Sequence, residues 1–176
     1  MSQPEGGGVN LLMDNICSWN IRGLNGPKKQ KDVLTFCMKN KVGLMGLVET
    51  KVRTCNVKGV AQCFPGWKHH VQYNEYGKVR LWMMWLPSEF TVQVVESNEY
   101  AIHGRTTYYF SCRSCWLTLV YGENEEMKRK QLWEFLSLMR PNIQAPWILL
   151  GDFNHFLHLD DRIGGQPVTQ SNTAEF

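Results

Sequence analysis

From residue 15 onward, short apolar runs alternate with stretches whose apolar residues recur every three or four positions. Residues 16–21, Ile-Cys-Ser-Trp-Asn-Ile, have the length and composition of a strand. Pro27 suits the first turn of a helix, and Val33, Leu34, Cys37 and Met38 then fall on one face, so a helix is predicted from 27 to about 40. Residues 43–48 form a second, nearly all-apolar strand, and residues 51–63 show no clean period but are compatible with helix. Strand-like segments follow at 68–73, 79–86, 91–95, 100–103 and 115–121. A second helix is predicted from about 125 to 140, with Leu132, Phe135, Leu136 and Met139 inward and Pro141 ending it. Residues 147–150, Trp-Ile-Leu-Leu, read as a buried strand that finishes at Gly151. Residues 1–14, with Gly6-Gly7-Gly8 and no apolar period, read as a flexible lead, leaving one unit at 15–176. Neighbouring antiparallel-looking strands set between helical crossovers point to an α/β sandwich rather than a doubly wound sheet.

Composition narrows the class. A chain of 176 residues, 43% hydrophobic and 12% aromatic, can bury one real core and is not a disordered tail. The net charge of +3 is unevenly spread: residues 1–80 hold 12 Lys/Arg against 5 Asp/Glu, and residues 81–176 hold 7 against 11. A basic front half can contact phosphates and an acidic back half can hold cations; two solvated faces explain the same numbers. Six cysteines in a chain of this length do not form a disulfide framework. The lone Cys112-x-x-Cys115 lacks the second ligand pair of a zinc site and reads as buried strand cysteines. No signal peptide is visible, and no run approaches the roughly 20 apolar residues of a membrane span. An intracellular protein with reduced thiols is expected, with no obligate protein partner evident.

The chemistry gathers at strand ends. Four apolar runs finish at Asn20, at Glu49, at Tyr121, and at Asp152 with Asn154. Strand alternation puts Asp152 and Asn154 on one side and Phe153 on the other. If these strands lie side by side, their polar ends share one rim, where ligands commonly bind. Glu49 and Asp152 with nearby amides make an oxygen-rich set of the kind Mg²⁺ accepts. Taken singly, a Glu or Asp leaving a strand is more often a turn residue than a ligand.

Four ordered motifs carry a family resemblance: Ser18-Trp19-Asn20-Ile21-Arg22-Gly23-Leu24, Val48-Glu49-Thr50, Val120-Tyr121-Gly122-Glu123-Asn124, and Leu150-Gly151-Asp152-Phe153-Asn154. The chain resembles the endonuclease/exonuclease/phosphatase superfamily over residues 15–176. Finer segments, among them Ala101-Ile102-His103, Leu132-Trp133-Glu134-Phe135-Leu136 and Asp160-Asp161-Arg162-Ile163-Gly164-Gly165, are similar to endonuclease domains of plant non-LTR (LINE) retrotransposons. The resemblance implies a four-layer, DNase I-like α/β sandwich and in-line attack of water on a DNA phosphodiester. It implies Mg²⁺, with Mn²⁺ as the alternative, held chiefly by Glu49 with Asn20 beside it. Asp152 would orient or deprotonate the water, helped by Asn154, which also contacts the phosphate. Tyr121 would donate to a phosphate oxygen, Asn124 would support the pocket, and the site of action would be the nucleus.

Two departures accompany the resemblance. Such proteins finish on a Ser-Asp-His motif that these 176 residues do not contain. The fold is therefore expected to be incomplete at its C-terminal side, with an unpaired edge, an exposed apolar face and impaired turnover. His69, His70, His155 and His158 are not expected to replace the missing histidine. The second departure is Lys78-Val79-Arg80, where relatives carry a small, Gly-rich stretch; it is expected to touch no catalytic group. Two other readings stay open: a non-catalytic fragment binding nucleic acid through Lys28, Lys29, Lys31, Lys39 and Lys41, and a phosphatase acting on lipid or small-molecule phosphates.

Overall fold

The structure, a computed structural model, describes residues 12–155. His158, the 160–165 segment and most of the N-terminal lead lie outside the described residues. The chain runs β1 (Asn15–Asn20), α1 (Pro27–Lys39), β2 (Val42–Arg53), α2 (Val57–Gln62), β3 (Lys68–Tyr73), β4 (Lys78–Trp85), β5 (Phe90–Ser97), β6 (Ala101–Tyr108), β7 (Arg113–Tyr121), α3 (Glu126–Met139) and β8 (Trp147–Asp152). Two four-stranded sheets result, ordered β1-β2-β4-β3 and β5-β6-β7-β8. β1 runs parallel to β2 and β7 parallel to β8, while the other pairs are antiparallel.

Alternation of side chains explains the stacking. Leu44, Val48, Leu81, Met83 and Trp85 of the first sheet meet Phe90, Ile102, Leu117, Leu119 and Tyr121 of the second. The opposite face of the first sheet, with Met45, Leu47, Trp82 and Met84, is covered by Val33 and Cys37 of α1 and by Val57 and Val60 of α2. Leu132 and Leu136 of α3 cover Ala101 and Val120 on the outer face of the second sheet. The order helix, sheet, sheet, helix is the four-layer sandwich expected from the sequence.

Several elements differ from expectation in detail. β2 does not stop after Val48 but continues to Arg53, so residues 51–53 are strand, and the helix that follows is only six residues long. β6 extends past His103 to Tyr108, because β5 and β7 pair with it along its full length whatever its side chains. On α1, Met38 is 72% exposed. Gln30 is buried instead, its Nε2 donating to the Leu24 carbonyl at 2.9 Å. Cys112 lies exposed in the β6–β7 turn at φ 51°, so only Cys115 is a strand cysteine, and both are free. β8 is the outer strand of its sheet, and Ile148 and Leu149 are partly exposed among the described residues. No helix among the described residues is long and apolar enough to cross a membrane.

Candidate active site

The two parallel pairs deliver their C-terminal ends to one rim. In the first sheet Asn20 lies opposite Val48, and in the second Tyr121 lies opposite Asp152. The Asn20 side chain then joins the sheets: its Nδ2 donates to Glu49 Oε1 at 3.1 Å and to Asp152 Oδ2 at 2.6 Å. Three residues taken from strand ends far apart in sequence thus meet at a single amide nitrogen. The Asn20 Oδ1 accepts from the Arg22 backbone N–H at 3.3 Å, which fixes the amide's orientation.

Glu49 reaches this point through an irregularity. Pairing between β2 and β4 passes from Val48 opposite Leu81 to Val52 opposite Val79, so Glu49, Thr50 and Lys51 face Arg80 alone. Glu49 and Lys51 take φ values of 55° and 54°, a region L-residues enter only under local constraint. The constraint is visible. The fully buried Thr50 donates from Oγ1 to the Val79 carbonyl at 2.7 Å, and the Gly23 and Leu24 N–H groups donate to the Glu49 and Thr50 carbonyls at 2.8 Å. Such a bulge re-aims a side chain. The Lys51 Nζ lies 3.3 Å from Glu49 Oε2; the lysine is exposed, the carboxylate largely sheltered, and the pair adds one cation to the rim.

On the other sheet Gly151, at φ 138°, brings β8 so close to β7 that a Cβ there would strike the Val120 carbonyl oxygen. Asp152 follows, accepting at Oδ1 from the Asn154 N–H at 3.0 Å. The Asn154 side chain donates to the Gly122 carbonyl at 2.6 Å, tying the segment after β8 to the end of β7. Phe153 turns away and stacks on Trp133 of α3, with ring centroids 6.0 Å apart. His155 meets the same indole edge-on and is not part of the cluster. Nor are His69, stacked on Trp82, or His70, bonded to Ser97 Oγ at 3.1 Å.

A cleft of about 320 Å³ opens beside the carboxylates, lined by Glu49, Lys51, Asn74, Lys78, Val79, Arg80, Tyr121 and Asn124. Tyr121 is 7% exposed, and burial pushes its phenol above the ordinary tyrosine range. Glu49, Glu123 and Asp152 push the same way and Arg80 opposes them, so the hydroxyl is a proton donor at neutral pH. Asn124 is exposed on the wall, and its carbonyl accepts from Arg129 at 3.2 Å. Arg80 stands with its guanidinium 4.7 Å from the Tyr121 ring centroid and forms an ion pair with Glu123. The expectation that Lys78-Val79-Arg80 touches no site residue is therefore wrong. Lys51, Arg80 and Glu123 were not expected from sequence to belong to the site, because the irregularity that aims the first two depends on pairing distant strands. Of the basic residues near α1, Lys29 is structural, donating to the Ile21 and Arg22 carbonyls at 2.6 and 3.0 Å, while Lys28, Lys31, Lys39 and Lys41 are exposed.

The donor set suits a hard cation. Among the described residues no group of three or more His, Cys, Asp or Glu side chains could hold a metal. The convergent set is two carboxylates joined by one amide, and the carboxylates supply hard oxygen donors. Mg²⁺ typically takes one or two carboxylates and completes its shell with water and phosphate.

Two mixed sheets face to face, helices outside, and a polar cluster on their common rim define a DNase I-like α/β sandwich. The chain belongs to the Endonuclease/Exonuclease/phosphatase family, whose sequence profile matches residues 17–172. No curated protein matches it in sequence. Among solved structures it is similar to an endonuclease/exonuclease/phosphatase family protein from Bacteroides thetaiotaomicron, with 14% identity and a TM-score of 0.63 over 79% of this chain and 62% of that one. It is similar to D. rerio TDP2 complexed with single strand DNA product, with 16% identity and a TM-score of 0.58 over 79% and 60%. The endonuclease domain of TRAS1, a telomere-specific non-LTR retrotransposon, matches with 13% identity and a TM-score of 0.58 over 79% and 59%. The chain thus spans about three-fifths of the length of each of these structures.

Proposed function

We propose that the rim is the metal and phosphate site of an Mg²⁺-dependent phosphodiesterase acting on DNA, an endonuclease domain of retrotransposon origin. The observation that carries this reading is the meeting of Glu49 and Asp152 on the Asn20 amide, with Tyr121 on the wall of the adjoining cleft. Glu49 and Asn20 would hold the ion, which when bound supplies positive charge against the phosphate. Asp152, steadied by the Asn154 N–H, accepts the proton of the attacking water. Tyr121 donates to a phosphate oxygen as charge builds there, and its raised pKa keeps the proton in place. Asn154 holds the β7 and β8 ends in register, and Asn124 lines the entrance. Lys51 and Lys78, also on the cleft, would draw in a polyanion.

Support for DNA as substrate comes from the plant retrotransposon-like segments, from the TRAS1 endonuclease domain and from a TDP2 structure that holds a DNA product. The test is nicking of supercoiled plasmid, run beside phosphate release from a phosphoinositide. Mg²⁺-dependent nicking that falls at least about 100-fold in Glu49→Ala is expected. Phosphate release without nicking would move the substrate to lipid, and salt-sensitive DNA binding with neither activity would favour the non-catalytic reading.

A further inference from the structure

Arg80 is a charged residue in a strand that is otherwise apolar and buried from Val79 to Trp85. On β4, Leu81, Met83 and Trp85 face the second sheet, while Val79, Trp82 and Met84 face the helices. The alternation is broken at one place only, between Val79 and Leu81. Pairing with β3 shows the same break, passing from Gln72 opposite Leu81 to Tyr73 opposite Val79. Relative to β3, Arg80 is thus the extra residue of a β-bulge, while on the β2 side it stands opposite three residues, and the irregularity turns it toward the second sheet. There its guanidinium lies 4.7 Å from the Tyr121 ring centroid and pairs with Glu123. Both charged side chains are less than one-fifth exposed. A sheltered guanidinium is costly unless paired, so this is not an incidental surface contact.

We propose that Arg80 is a positioning residue for Tyr121. Attraction to the ring face holds the tilt at which the phenol presents its hydroxyl to the cleft. The ion pair with Glu123 anchors the guanidinium in place over the ring. Arg is suited to both contacts at once because its planar fork can lie flat on a ring while bonding a carboxylate at its edge. The inference rests on the reading of Tyr121 as a donor to phosphate, and it concerns a residue that stands where relatives carry a small, Gly-rich stretch.

The experiment compares Arg80→Met, Arg80→Lys, Tyr121→Phe and the Arg80→Met/Tyr121→Phe double variant in the full chain. One readout is the ring signal of Tyr121 in protein carrying ¹³C-labelled tyrosine, assigned by its loss in Tyr121→Phe. The other is kcat and KM for Mg²⁺-dependent cleavage of a labelled oligonucleotide. Arg80→Met is expected to shift the Tyr121 signal while leaving that of the distant, exposed Tyr109 in place. It is expected to lower kcat about 10-fold with KM little changed, and to cost less than about 2-fold more once Tyr121 is Phe. Arg80→Lys, which keeps the charge but not the flat contact, should fall between, and it carries the test if the Met variant does not fold. A stationary Tyr121 signal, an unchanged kcat, or losses that multiply in the double variant would each overturn the proposal. Normal cleavage by Tyr121→Phe would overturn the reading of Tyr121 and this inference with it, whereas a Tyr121→Phe defect beside a normal Arg80→Met overturns this inference alone.

Discussion

At the scale of single residues, the Asn20 amide is the hinge of the site. Its N–H groups satisfy two carboxylates that would otherwise repel across the gap between sheets. Asn20→Asp would replace that neutral bridge with a third negative charge. In thermal unfolding without divalent cations this variant should lose about 1–3 kcal/mol relative to wild type. Added Mg²⁺ should raise its melting temperature by more than it raises that of wild type, because an ion binding only the folded state stabilises it more the tighter it binds. An equal Mg²⁺ response in the two proteins would argue that the three side chains do not share one ion.

At the scale of elements, the site depends on two backbone irregularities, one per sheet. Gly151 lets β8 approach β7 at a position where a side chain would meet the Val120 carbonyl. Gly151→Ala should lower stability by about 1–3 kcal/mol, since both the φ of 138° and the lack of space oppose a Cβ. Thr50→Val should cost about 1–2 kcal/mol by deleting the buried bond to the Val79 carbonyl, and should weaken Mg²⁺ binding because the bulge carrying Glu49 loosens. Denaturant melts and a metal titration of that variant read both effects. These irregularities also mark where sequence reading stopped. The periodicity located nearly every strand and helix, and Phe153 turns toward α3 as alternation predicted. But β8 ends at Asp152, and Asn154 lies beyond it at φ 46°, where alternation no longer sets its side. The periodicity ended β2 too early, because a bulge is set by the partner strand β4, which adjacent residues do not reveal. For the same reason Lys78-Val79-Arg80 was expected to touch no catalytic group, although Arg80 lies over the Tyr121 ring. Met38 and Gln30 exchanged roles because the Leu24 carbonyl, supplied by the preceding loop, made burial of the amide favourable.

At the scale of the whole molecule, each sheet supplies half of the cluster, so the site exists only while the sandwich is closed. A buried histidine on one outer face is expected to make folding pH-sensitive. His103, 2% exposed, stacks on Trp116 at 4.9 Å and bonds through Nδ1 to Thr118 Oγ1 at 2.7 Å, which also accepts from the Trp147 indole. Burial lowers its pKa from the ordinary 6.5, with Glu96 opposing. The unfolded chain therefore binds the proton more readily. The contribution is full above about pH 6.5 and is lost as pH falls below it. The melting temperature should drop between pH 7 and pH 5, and His103→Gln should flatten that drop in part, since His69 and His70 are lowered in the same direction. What the closed sandwich is for is read most directly by calorimetric titration of the metal-free chain with Mg²⁺, in parallel with Glu49→Ala. A single saturable site in the native protein that vanishes in the variant is the predicted result; binding of equal affinity in both would contradict the meeting of Glu49 and Asp152 around one ion.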